Sequence, residues 1–383
     1  MAYFFSNNPI DFNISTTADK SIRYEVYVES AFDSTVFNKI FTGEKPSDSA
    51  GDLNINIRSL LHESIEENVD DENFSFSVIA WKHTKSIGRF YYRHGVVGTD
   101  GNVAVWTTSS THVLLYGGLS FRKYKAGDYI SVDIETDNNF LTWLPDGLNV
   151  SKAQPVYLSL LNESNYGFPY TFPLVKVVAY YTDGTNQQVF RSVPISLPDS
   201  KLFTFNFGYT ALTVGTINAA KTVVYYTVQL IDDGDANINT EIRRFYVDHV
   251  VPPWERYFTF INSLGGMESI RTIGKRSEGF STDKFPIKSN TLAANTLSYR
   301  AKRQFKTEAD EAYSISSGFM DAEFVKHYSK ELLNSQSVFE IVNGQRLPVN
   351  ILTNDADAFM DERFVHQFNF NYEYSNVFGG FEA

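Results

Sequence analysis

Cysteine is absent from this 383-residue chain. That removes disulfides, thiol nucleophiles and thiolate metal sites together, and with them the secreted scaffold in which cross-links stand in for a core. Histidine is scarce. His62, His83, His94, His112, His249, His327 and His366 form no HxxxH or HxH pair suited to a metal. There is no G-x-S-x-G elbow, no P-loop and no G-x-G-x-x-G. No apolar run approaches the length that spans a bilayer. The N-terminal Met1-Ala2-Tyr3-Phe4-Phe5-Ser6-Asn7-Asn8-Pro9 lacks the basic and apolar regions of a signal peptide. The expectation is a soluble protein made in the cytoplasm, without membrane insertion. Basic residues are outnumbered, for a net charge of −12, which argues against a nucleic-acid partner because such proteins carry basic faces that displace counterions.

Acidic clusters offer little more. Asp233 to Ala236 with Asn237 starts like a calcium loop, but Ile238 stands where the sixth-position glycine is needed and no glutamate occupies position twelve. It reads as an acidic hairpin turn. Asn354-Asp355-Ala356-Asp357 and Asp361-Glu362 read as a solvated acidic loop. Paired carboxylates for glycoside hydrolysis are defined by separation in space, which sequence does not give. No catalytic, cofactor-binding or metal residue is assigned, and the chain reads as a non-enzyme.

Aromatic residues are plentiful, at 15% with Phe 32 and Tyr 23, which favours β structure. The length suits two or three domains, each with its own core. Ile22, Tyr24, Val26 and Val28 alternate with polar or half-polar neighbours, the period of a half-buried strand. Leu53, Ile55 and Ile57 repeat the pattern, as do Phe74, Phe76 and Val78, with a short helix expected over Ser59–Glu67. Thr99-Asp100-Gly101-Asn102 is a hairpin turn signal. Short strands with one polar face point to an antiparallel sandwich. A junction falls between Phe140 and Leu158, after which Val175, Val177, Ala179 and Tyr181, the turn Thr182-Asp183-Gly184-Thr185, and Val224, Tyr226, Val228 and Leu230 sketch a second sandwich.

The stretch Val251 to Arg271 organises the rest. Pro252-Pro253 stops what precedes it, an aromatic run follows, and Asn262-Ser263-Leu264-Gly265-Gly266 reads as a tight turn before another strand. The stretch has echoes about 150 residues upstream. Arg89 to Val97 answers Arg244 to Val251, and Leu115-Tyr116-Gly117-Gly118-Leu119 answers Ser263 to Met267. Leu53 to Ile57 answers Phe203 to Phe207, and Phe74 to Val78 answers Val223 to Thr227. Four matches in one order, at nearly constant offset, point to a tandem duplication, with His94 and His249 in equivalent structural positions.

Charge then becomes uneven. Arg271, Lys275, Arg276, Lys284, Lys288, Arg300, Lys302, Arg303 and Lys306 face only Glu278 and Asp283, a net +7, whereas Thr307 to Ala383 nets −9. Residues 275–318 show no sustained period and read as a long basic arm. Asp321 to Phe339 reads as a helix, followed by a strand pair, Ser337–Ile341 and Leu347–Leu352, turned by Asn343-Gly344. Phe368, Phe370, Tyr372 and Tyr374 form the cleanest alternation in the chain, an apolar face that must find a sheet here or in a neighbour. The fold class is therefore mainly β: a first sandwich over 1–138, a second over 139–274, the extended arm over 275–318 and a small α+β segment over 319–383. The nine basic residues and the four aromatic ones are the candidate assembly interface.

The segments Phe140-Leu141-Thr142-Trp143-Leu144-Pro145, Gln154-Pro155-Val156-Tyr157-Leu158, Tyr181 to Thr185 and Arg256 to Gly266, with Glu331 to Ser335 and Leu347 to Ile351, resemble virion proteins of Bacteroidetes-infecting phages of the crAss-like type. The resemblance covers most of residues 20–375, in order and texture, and the Asn-Ser-Leu-Gly-Gly turn is its best motif. It carries no catalytic residues. It implies a structural component of the virion tail or neck, a homo-oligomeric ring in contact with itself and with other tail or portal-proximal proteins. The alternative is a receptor- or carbohydrate-binding adhesin using Tyr and Trp as platforms.

Overall fold

The fold is known from a computed structural model, which describes residues 3–16, 18–31, 34–65, 80–83, 85–120, 124, 139–162, 173–193, 201–232, 240–288, 302–353 and 366–375. The chain divides into two compact units. The first comprises Met1–Val251, Thr259–Ser269 and Asn334–Gln336, and the second Pro252–Phe258, Ile270–Leu333 and Ser337–Ala383.

The first unit holds two sandwiches. In the N-terminal one, β1 (Tyr3–Phe5), β2 (Asp11–Ser15), β3 (Ser21–Glu29), β4 (Phe37–Pro46) and β5 (Asp52–Asn56) precede helix α1 (Arg58–His62). β6 (Ala80–His83), β7 (Ile87–Val96), β8 (Thr107–Thr108) and β9 (His112–Leu115) follow. One sheet runs β1-β9-β7-β3-β4, with β8 on β7, and β2 pairs with β5 separately. The alternation of β3 does what the sequence implied: Ile22, Tyr24, Val26 and Val28 enter one core with Ile14 of β2 and Leu53 and Ile55 of β5.

The second sandwich comprises β10 (Leu148–Ser151), β11 (Tyr157–Asn162), β12 (Pro173–Tyr181), β13 (Asn186–Ser192), β14 (Lys201–Asn206), β15 (Val223–Asp232) and β16 (Arg243–Asp248). Its main sheet runs β10-β16-β15-β12-β13, and β11 pairs with β14. The two strand orders are the same. In each, the first strand lies parallel to the last (β1 with β9, β10 with β16), and every other neighbour is antiparallel. In each, the second strand pairs antiparallel with the fifth (β2 with β5, β11 with β14). This is the Greek-key order of immunoglobulin-like sandwiches.

The topology repeats, but most of the sequence echoes do not mark it. Leu53–Ile57 and Phe203–Phe207 do lie on and just beyond equivalent strands, β5 and β14. Arg89 to Val97 lies on β7, whose counterpart is β15, whereas Arg244 to Val251 lies on and after β16; His94 and His249 are therefore not equivalent. Phe74–Val78 lies outside the described residues. The glycine pairs are partners, not counterparts. Gly118 N–H donates to the Ser263 carbonyl at 2.6 Å. Gly265, at φ +77°, brings its Cα so near Tyr116 that an added Cβ would sit 2.1 Å from the Tyr116 carbonyl oxygen.

The Asn262–Gly266 turn is held from within by one side chain. Asn262 Oδ1 accepts from the Leu264 and Gly266 amides at 3.0 and 2.8 Å, while Nδ2 donates to the Leu141 carbonyl at 2.8 Å and to Glu268 at 2.6 Å. Asn262 and Glu268 are both buried, and Thr142 also donates to Glu268 at 2.6 Å. The junction at 140–158, the turn and β11 thus meet in one polar knot, with Met267 N–H on Ser159 Oγ at 3.0 Å.

The third sheet corrects two sequence expectations. β17 (Arg256–Ile261) and β18 (Met267–Thr272) do not close the second sandwich, which ends with β16. They join β19 (Ser277–Lys288), β20 (Lys302–Ser316), β21 (Val338–Val342), β22 (Gln345–Ile351) and β23 (Asn369–Tyr374) in a seven-stranded sheet of order β18-β17-β21-β22-β23-β20-β19. The arm of 275–318 is two long strands instead of a loop. Elsewhere the C-terminal reading agrees with the fold. Helix α2 (Ala322–Asn334) buries Phe324, Val325, Tyr328 and Leu332, and ends five residues before Phe339 because β21 claims Val338 onward. Asn343 and Gly344 both have positive φ, 52° and 78°, as a two-residue type I′ hairpin requires.

Candidate assembly surface

The anticipated interface residues separate into three groups. The first is internal. Arg271 is buried on β18 and ion-paired with buried Glu255. Phe368, Phe370 and Tyr372 are core residues at 0–1% exposure, and Phe258 meets Phe370 and Tyr372 edge-on at 5.2 Å. The alternating C-terminal strand has its partners in its own chain, β22 and β20. Sequence shows that such a face must be covered but not by which sheet.

The second group sits at the root of the β19–β20 hairpin. Lys275 is exposed, its Nζ 4.5 Å from the Trp254 ring centroid. Arg276 stacks over Tyr313 at 4.3 Å and reaches the Tyr374 hydroxyl at 3.5 Å. Burial opposes its charge, yet hydrogen bonding to Tyr372 and the nearness of Tyr374 and Glu340 outweigh that, so its pKa rises. Glu340 is fully buried, and its oxygens accept from Arg256 at 2.9 Å, Tyr372 at 2.9 Å and Tyr374 at 2.6 Å. Both oxygens of this carboxylate accept directed hydrogen bonds, which is what makes a buried charge tolerable. No local pattern marks this cluster, because its members are spread from 256 to 374.

The third group lies along the hairpin. β19 and β20 pair from Ser277↔Ser314 to Lys288↔Lys302. β23 meets β20 only from Tyr313↔Tyr372 to Ser316↔Asn369. From Lys302 to Ala312, β20 therefore has β19 as its single neighbour among the described residues. At about 3.4 Å per residue the ribbon outreaches β23 by roughly 35 Å. Among the described residues neither outer edge of the ribbon is paired there, and a free strand edge is the usual template for another strand. Lys284, Lys288, Lys302, Arg303 and Lys306 all lie on the far part; Arg300 lies outside the described residues.

The ribbon is sharply divided in charge. Lys284–Lys288 and Lys302–Lys306 contain five cations and no acid. Ser277–Asp283 and Thr307–Ser316 contain Glu278, Asp283, Glu308, Asp310 and Glu311 and no cation. The register sets Asp283 opposite Glu308 and Lys288 opposite Lys302.

Among the described residues, no group of three or more His, Asp or Glu is placed to hold a metal, and no helix is long and apolar enough to cross a membrane. The acidic stretches at 233–237 and 354–362 lie outside the described residues.

No known family's profile matches the chain, and no curated protein does. Among solved structures, trypsin-activated alpha-2-macroglobulin from Escherichia coli is 8% identical with a TM-score of 0.22, over 83% of this chain and 22% of that one. The native E. coli alpha-2-macroglobulin is also 8% identical at 0.22, over 94% and 23%. Drosophila OTK extracellular domains 3–5 are 11% identical at 0.20, over 82% and 89%. The chain thus spans less than a quarter of the macroglobulin chains it matches. Likenesses this weak carry no argument for function.

Proposed function

We propose that this protein is a non-enzymatic structural component of a bacteriophage virion, a homo-oligomeric ring of the tail or neck in contact with neighbouring virion proteins. Its place of synthesis is the host cytoplasm. The resemblance of its sequence segments to crAss-like phage virion proteins supplies the setting. The observation that carries the assembly part is the β19–β20 ribbon. An isolated two-stranded ribbon is marginal in water and gains stability by docking, and among the described residues this one has no strand beside its outer length. Electron microscopy of the purified full chain tests the reading: rings are expected. They should disappear when Lys284–Lys306 is replaced by an Asn-Gly turn, with far-UV circular dichroism still reporting folded sandwiches. Rings that survive that replacement, or an intact chain that never assembles, would refute it.

A second reading, a receptor- or carbohydrate-binding adhesin, has one observation in its favour. On the face of β3 and β7 opposite the core, Tyr27 and Tyr91 stack at 4.7 Å and Arg93 lies 4.4 Å over Trp106. They surround Glu25, whose carboxyl burial would raise but whose hydrogen bonds from Tyr27, Arg93 and Lys39 hold below its ordinary pKa. These rings are half-buried and engaged with one another, which suits a cohesive layer better than a free platform. A glycan array with wild type and Trp106→Ala decides between them.

A further inference from the structure

We infer that the first sandwich carries an acid-sensitive latch: His94 and His112, neutral inside its core, hold β1 and β2 against β7 and β9 and release them when protonated. β7 places Phe90, Tyr92 and His94 at alternate positions. The register sets His112 of β9 opposite Phe90, and Tyr24 of β3 opposite His94. These five side chains therefore share the face that looks into the core. Four rings from three strands close on His112. Phe90 and Phe4 lie 5.3 and 5.4 Å away, Phe12 5.5 Å and Tyr92 6.5 Å, the last nearly parallel at 11°. His94 stacks on the same Tyr92 at 6.2 Å. Phe12 in turn meets Tyr92 at 4.3 Å, so β2 is held to β7 across this aromatic layer.

Neither imidazole is equipped to carry charge there. The Nδ1 of each is buried without a hydrogen-bond partner, and His112 as a whole is 9% exposed. A neutral ring can leave a lone pair at that atom, whereas a protonated ring must put an N–H there with nothing to accept it. Among the described residues no carboxylate faces either ring. Asp11 and Asp52 alternate to the solvent side of β2 and β5. On β3, β4 and β7 the outer face takes Glu25, Glu29 and Glu44, and with them Arg23, Lys39, Arg89 and Arg93. β1, β8 and β9 contain no charged residue. The core side keeps only Lys45, exposed at the β4 edge. Burial holds both histidines below their ordinary range near 6.5, and the chain's amino group adds to the effect at His112. Aromatic faces attract a cation, but here the loss of water outweighs that attraction. The opened strands therefore take up protons that the closed ones refuse, so closure is complete above about pH 6.5 and weakens as pH falls.

The latch goes beyond the assembly reading and is independent of it, since it works within one chain and needs no partner. Hydrogen exchange of the full chain, corrected for the intrinsic effect of pH, tests it. Between about pH 7.5 and about pH 5, peptides from β1 and β2 should lose about tenfold of their protection, while those from β15 and β16 keep theirs. His94→Gln and His112→Gln cannot take up a proton. Each should remove part of that loss and the two together all of it, with circular dichroism confirming the fold at neutral pH. NMR titration of the wild-type ring protons gives an arm that needs no variant, and decides the matter should a variant fail to fold. Both His94 and His112 should titrate below about 6.5. Protection of β1 and β2 that acid leaves unchanged, a loss that survives in the double variant, or an equal loss in the second sandwich would overturn the proposal. So would either ring titrating at or above its ordinary value.

Discussion

Asn262 offers the sharpest test of the turn as the organising element. Asn262→Ala removes four buried hydrogen bonds. It strands the Leu264 and Gly266 amides and the Leu141 carbonyl, and leaves Glu268 with one donor fewer. Buried polar groups left unpaired cost about 1–3 kcal/mol each, with part recovered as the site relaxes, so a loss of about 4 kcal/mol is expected. Asn262→Asp separates hydrogen bonding from shape. It keeps the acceptor that serves the two amides but replaces the donor with a carboxylate oxygen where Nδ2 lay 2.6 Å from Glu268. Two carboxylates at that distance repel by several kcal/mol, roughly 6 at an effective dielectric of 20, so the pair takes up a proton in the fold. The folded pKa is then raised above the unfolded value. The native state binds a proton that the unfolded state releases, and the stability of this variant falls as pH rises. Urea unfolding followed by the fluorescence of Trp81, Trp106 and Trp143, all in the first unit, measures both effects. Asn262→Asp should be as damaging as Asn262→Ala at pH 7 and should recover towards wild type as pH falls to about 4. If Asn262→Asp matches wild type at pH 7, or shows no pH dependence beyond wild type's own, the four-bond account of the turn is wrong.

Three further outcomes follow from the same structure. Gly184 and Gly265 have nearly the same positive φ, 80° and 77°, but nothing lies within 4 Å of a Cβ at Gly184 whereas one at Gly265 meets the Tyr116 carbonyl. Gly184→Ala should cost about 1 kcal/mol in thermal or urea unfolding and Gly265→Ala several times that, a contrast that equal losses would contradict. Glu340→Gln leaves Arg256 with a neutral partner inside the third sheet and should destabilise it by about 3 kcal/mol, read from the slowest-exchanging amides of β21 and β23. Tyr27 and Tyr313 are each pushed up to about 12, by burial first and then by hydrogen bonds to Glu25 and Glu311. Their raised values add stability that is complete below the unfolded phenol value near 10 and is lost as pH rises towards 12. Ultraviolet titration should therefore show their phenolates forming late, and Tyr27→Phe should flatten the alkaline decline.

Fold class was legible where a strand has one face on a core. β3, β12 and β23 alternate because a sandwich or sheet interior rewards alternate positions, and their residues are buried as the pattern implied. The β19–β20 ribbon was missed for the same reason. Periodicity records burial, and backbone pairing between two strands that run beyond their sheet leaves no such trace. The repeat was seen through similar words at a fixed spacing, yet loops of different length shift equivalent strands: β5 and β14 are 149 apart at their starts, β7 and β15 are 136 apart. The candidate interface failed in its aromatic half because an apolar face has no address in sequence. The Glu340 cluster joins residues from four strands and the approach to β19, so only the folded sheet brings them together.

The first sandwich also lends a strand away. β6 pairs with β14, from Leu202↔His83 to Phe205↔Ala80, and His83 meets Thr204 at 2.6 Å across 121 residues of chain. During synthesis, at about 5–20 residues per second, β6 leaves the ribosome roughly 6 to 24 s before its partner exists. For that interval β6 waits for the strand it pairs with, the condition under which neighbouring chains on one message mispair. Severed at the junction, the two sandwiches would lose the ladder from Leu202↔His83 to Phe205↔Ala80 that joins them.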